Sequence, residues 1–126
     1  MAVFDSAEVR RLLEASCGVT DYAVTVASPT LRLATTAPSD TAAGTQVLGG
    51  SYAAQACAFG AASGRSIQNS GTVAFTGMPA TTTTHVDIYD GANTTRKMYG
   101  ALSASKTTAA GDTLSFAAGS IQVAYS

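Results

Sequence analysis

His85 is the chain's one histidine, and Asp87 follows it two residues later. Residues two apart on a strand share a face, so the carboxylate is placed to orient the imidazole, as a hydrolytic triad requires. Ser51, in Gly49-Gly50-Ser51-Tyr52-Ala53, would be the nucleophile, but the elbow that presents such a serine ends in glycine and this one ends in Ala53. Alternation explains His85 and Asp87 more simply, as the solvated face of a half-buried strand. Cys17 and Cys57 stand far apart with no CxxC, which reads as two buried thiols, and with one histidine they cannot close a tetrahedral zinc site without carboxylates. Asp87, Asp90 and Asp112 lack the dense oxygen spacing of a calcium loop. Gly44 and Gly49 have phosphate-loop spacing, but no Lys-Ser/Thr pair follows. Arg96-Lys97, the basic pair outside the N-terminal segment, reads as charge solvating a hairpin end. Tyr52, Tyr89, Tyr99 and Tyr125 would make a sugar-stacking platform only if brought together; singly they are core-rim residues with wet hydroxyls. The expectation is therefore no catalytic residue, no metal, no cofactor and no enzymatic turnover.

The elements that would position these residues are mostly strands. Asp5 with Glu8 three residues later forms a capping box, and Val9, Leu12, Leu13 and Cys17 repeat at helical spacing until Gly18. A short amphipathic helix is predicted over residues 5–17, with Arg10 and Arg11 on its other face. After Gly18 the period becomes two. Leu31 and Leu33 alternate with Thr30 and Arg32 between Pro29 and Pro38. Residues 51–59 alternate small side chains after a glycine pair and read as a strand, with Cys57 and Phe59 on the core face. Val73 with Phe75, Val86 with Ile88, Leu114 with Phe116, and Ile121 with Val123 and Tyr125 mark further inward-facing pairs. The cluster Asp90-Gly91-Ala92-Asn93 reads as a hairpin turn returning along residues 97–102, and the Asn93 sequon as part of that turn. The fold class predicted is mainly β: an antiparallel β-sandwich or barrel with one short N-terminal helix. It is a single domain over residues 1–126, with the helix in 1–18 and the sandwich in 19–126.

Charged residues make up 12% of the 126, about half the usual share, and the net charge is −1. That leaves no electrostatic footprint for nucleic acid or an anionic membrane. No apolar run approaches a membrane span and no signal-peptide pattern opens the chain, so maturation in the cytoplasm is expected. A surface of Thr, Ser, Ala and Gly suits broad contact with other protein. The expected interaction surface is Val9, Arg10, Arg11, Leu12 and Leu13 on the helix, together with Tyr52. Removing residues 1–17 is expected to leave a folded β domain.

The order of motifs adds a resemblance. After the leading helix and Leu31-Arg32-Leu33 come "VLGGSYAAQACAFGAASG", "THVDIYDG", "YGALSASKT" and "AAGDTLSFAAGSIQV". This resembles a family of small structural proteins of tailed bacteriophages often labelled tail fibre proteins. The resemblance departs at Ala54, where the family usually has arginine, and near Gln46, where a glutamate commonly precedes the glycine pair. It implies a virion component, assembled in the host cytoplasm, that forms a homo-oligomer, a trimer being favoured. Its partners would be the major capsid protein or tail proteins. Because the chain has no room for a shaft, capsid decoration is the first reading. A tail fibre, minor tail or baseplate role is the alternative, and a carbohydrate-binding module for host glycan a further one.

Overall fold

The computed structural model describes residues 2–22 and 27–124. The predicted helix, α1, runs Ser6–Ser16, and the Asp5 carboxylate caps it by accepting a 2.8 Å hydrogen bond from the Glu8 N–H. The other half of the expected capping box does not form. The Asp5 N–H donates instead to the Lys97 carbonyl, which ties the helix start to the sheet.

Nine strands are described: β1 (Ala2–Phe4), β2 (Thr30–Ala34), β3 (Gln55–Ala56), β4 (Ser66–Gln68), β5 (Val73–Met78), β6 (Thr81–Tyr89), β7 (Arg96–Thr108), β8 (Asp112–Phe116) and β9 (Gln122–Ala124). One sheet has the order β3-β2-β6-β7-β1-β9-β4, and β5 pairs with β8 in a second. All described pairings are antiparallel except β1 with β9. The large sheet curls over the small one, and the mainly β, sandwich-like class is as expected.

Period-two alternation builds the core. The β2–β6 register sets Leu31 against Ile88 and Leu33 against Val86, so apolar side chains from both strands meet on one face. They pack against Val73, Phe75, Met78, Leu114 and Phe116 of the small sheet. Phe75 stacks on Tyr52 at 5.8 Å between centroids and meets Phe116 edge-on at 6.1 Å.

Three expectations change. Residues 51–59 do not form one strand: Gln55 and Ala56 pair with β2, and Phe59 makes a single bridge to Asn69. Gly50, at φ +56°, comes so close to β5 that a Cβ would lie 2.4 Å from the Gly77 carbonyl oxygen. The Ser51 N–H donates to that oxygen at 2.8 Å, and the Cys57 N–H donates to the Pro29 carbonyl. The small residues therefore serve close backbone approach, and Tyr52 and Cys57 both point inward despite their odd spacing. Second, the return arm of the hairpin runs to Thr108, well beyond the expected 102. Third, β1 was not foreseen at all. It lies between β7 and β9, with Ala2 buried in the core, so residues 1–17 are not an appendage to a separate β domain.

Candidate interaction surface

The outer face of β6 and β7 is where expectation and structure part most clearly. Asp87 was expected to be solvated; it is 2% exposed. Arg96 was expected to solvate the hairpin end; it too is buried, its Nη1 3.2 Å from Asp87 Oδ1 and its Nε 3.4 Å from Asp5 Oδ2. The cause is the loop of residues 39–44, which crosses this face. Arg96 donates to the Ala42 carbonyl at 2.8 Å and to the Ser39 carbonyl at 2.6 Å, and the Gly44 N–H donates to Asp87 Oδ2 at 3.0 Å. Tyr99 donates its hydroxyl to Asp40 of the same loop. Burial pushes the Asp87 carboxyl above its ordinary range, and its bonds to Arg96 and Gly44 only partly offset this.

A second cluster lies beneath α1. Glu8 is the helix's one buried residue, 2% exposed, so the helix docks on a charged group and not on an apolar stripe. Its carboxylate accepts from Arg11 Nε at 2.9 Å, from Lys97 Nζ at 3.1 Å and from the Tyr22 hydroxyl. Burial disfavours the Lys97 ammonium, but hydrogen bonds to Tyr22 and Glu8 outweigh it and the pKa is raised. Asp5 and Glu8, three apart at the helix start, thus bind Arg96 and Lys97, adjacent at the start of β7. Arg32, on β2, clamps the hairpin turn by donating to Asn93 Oδ1 at 2.8 Å and to the Asn93 carbonyl at 2.9 Å.

The expected interaction residues divide accordingly. Leu13 is 52% exposed, Arg10 is exposed with a loose 3.9 Å pair to Glu14, and Val9 and Leu12 are half-buried. Arg11 is not free for a partner, being bound to Glu8. Tyr52 does not join this surface. Its ring packs on Phe75, and its hydroxyl accepts from the Leu33 N–H at 2.9 Å and from Gln46 Nε2 at 3.2 Å. Sequence reasoning missed Val19, 69% exposed just after the helix, and Leu48, 82% exposed beside the glycine pair.

The remaining chemical candidates are dispersed. His85 Nδ1 lies 2.8 Å from Thr84 Oγ1, while the Asp87 carboxylate engages Arg96 and Gly44. Ser51 lies in the Gly50 turn against Gly77. The Arg32 guanidinium covers one face of Tyr89 at 3.6 Å, and that of Arg96 lies 4.7 Å from the centre of Tyr99. Tyr125 lies outside the described residues. Cys57 is buried as expected, its thiol pushed up to about 11 by burial, whereas Cys17 is exposed at the helix end, contrary to expectation.

A mainly β sandwich with a polar, weakly charged exterior and an exposed helix side is the kind of subunit used in assemblies. Comparison with known families makes that class definite: the model for Podophage GP4 fiber I protein gp80 matches residues 7–124. The chain belongs to this family of phage fibre-type structural proteins and is a virion component. No curated protein matches it.

Proposed function

We propose that the protein is a non-enzymatic piece of the fibre apparatus on a phage tail, acting through contact with other virion proteins. The observation that carries this reading is the family match over residues 7–124, whose description names a fibre. It favours the tail-fibre alternative over capsid decoration, which was the first expectation. Tail proteins then replace the major capsid protein as the proposed partner. Self-association into a trimer belongs to the same proposal.

The contact surface proposed is the exposed side of α1 around Leu13 and Arg10, continuing to Val19. Two features support it. Leu13 and Val19 are large apolar side chains left in solvent, and the buried ion pairs under Glu8 hold the helix in one orientation. Localisation of the protein in purified particles by cryo-electron microscopy tests the placement. A Leu13→Asp variant, which leaves the buried cluster intact, tests the surface: it should fold normally and be lost from particles.

A further inference from the structure

A groove of about 520 Å³ lies between α1 and the β4 edge of the large sheet. Phe4, Leu12 and Ile67, each half-buried, and the exposed Ala62 line it, so apolar carbon faces outward along its length. Arg65, also exposed, borders the same groove.

The end of α1 offers a shape for such a groove. Gly18, at φ +74°, donates its N–H to the Ala15 carbonyl at 3.2 Å, and the Val19 N–H donates to the Glu14 carbonyl at 2.8 Å. These two bonds make a Schellman motif, in which the residue after the glycine commonly packs back on the helix. Here Val19 stays 69% exposed, and Leu13 in the last turn is 52% exposed. The motif thus holds a stiff β-branched side chain out in solvent, and burying it against a partner costs little further ordering.

Charge indicates the partner. Of eight Asp and Glu residues, Asp21 is the one whose side chain has no hydrogen bond or ion pair among the described residues, and it is exposed two residues after Val19. Arg65 and Lys106 are the cations in the same state. Lys106 borders a cleft whose Phe116 and Ile121 are closed into the core, whereas the apolar side chains beside Arg65 are half open. An unpaired anion beside an apolar knob therefore matches an unpaired cation beside an apolar groove, and within one copy the two form no ion pair.

We propose that the groove between α1 and β4 receives residues 19–21 of a second copy of this chain, with Val19 against Leu12 and Ile67 and Asp21 on Arg65. The contact joins two different surfaces, so it is heterologous and can close into a ring in which each copy both gives and receives the segment. This inference rests on the self-association proposed above and supplies its interface; a ring of three is the closure expected.

The test is sedimentation equilibrium of the full chain and of charge-reversed variants at exposed positions, with far-UV circular dichroism to confirm that each folds. Asp21→Arg and Arg65→Glu should each weaken association about ten-fold by setting like charges opposite one another, and the double variant should recover it to within about three-fold. Val19→Asp should weaken association and should not be recovered by Arg65→Glu. If the unaltered chain associates but the single reversals leave its affinity unchanged, or the double reversal fails to recover it, the interface is overturned while self-association stands. A chain that stays monomeric up to about 1 mM overturns both. Monomeric chain together with loss of Arg65→Glu from particles would mean that another virion protein fills the groove, which also overturns the proposal.

Discussion

Arg96 Nη1 lies 3.2 Å from Asp87 Oδ1, and the pair is roofed by the loop of residues 39–44 whose carbonyls Arg96 also binds. This contact joins four parts of the chain: the hairpin strands β6 and β7, the crossing loop, and the N-terminal segment through Asp5. Removing Asp87 takes one of two carboxylates from the buried Arg96 and leaves the Gly44 N–H without its acceptor. Asp87→Ala is therefore expected to cost about 3–5 kcal/mol, well above what a solvated strand residue would cost. Arg10→Ala, at an exposed 3.9 Å pair, should stay within about 0.5 kcal/mol. Urea unfolding midpoints of the two variants measure the contrast, and equal small losses would mean that Asp87 is solvated after all.

The core makes its own demand. Ile88 is fully buried between Leu31 and Met98 of the neighbouring strands. Ile88→Ala should cost about 2–5 kcal/mol, through lost burial and the cavity left behind. A loss below about 1 kcal/mol in the same unfolding assay would contradict the assigned packing.

Much of this arrangement can be read from the chain. β2 spans the predicted residues, α1 starts at the predicted cap, and the inward pairs Val73–Phe75, Val86–Ile88 and Leu114–Phe116 are buried. Each rests on a local period or a local cap. The misreadings share a different origin. Asp87, Arg96 and Lys97 looked solvated because alternation tells which face a side chain takes, not what lies over that face. A distant loop and the chain's own N-terminus cover it. The scarcity of charge was the available signal, since a chain with few ions that still places Asp between Val86 and Ile88 is using it structurally. Residues 51–59 failed for a related reason. Small-residue alternation fits a strand, but here it lets one backbone lie against another at Gly50 and Gly77.

The N-terminal segment is expected to be integral to the fold. β1 separates β7 from β9, and Asp5 and Glu8 neutralise Arg96 and Lys97. Deleting residues 1–17 should therefore give a chain with collapsed amide dispersion and no cooperative thermal transition. A truncated chain with native-like spectra would show that the sheet closes without β1.

The two thiols should behave differently. Cys17 is exposed and Cys57 buried, so the native protein should yield one reactive thiol and the denatured protein two. The Cys57 thiol is raised from 9.0 in the unfolded reference to about 11 in the fold. Between those values the native state holds a proton that the unfolded chain releases, so stability falls as pH rises above 9.0 and through about 11. Cys57→Ala should lower stability at neutral pH and show a shallower alkaline loss. An unchanged alkaline slope would contradict the assignment.

The central claim is that this protein is a fibre-type component of the virion placed on the tail. Cryo-electron microscopy of purified particles tests it most directly, with antibody labelling of the same preparation to assign the density. The account predicts that label and matching β-rich density lie on the fibre apparatus and disappear together when Leu13→Asp replaces the unaltered protein. Label distributed over the capsid lattice, with none on the tail, would contradict it.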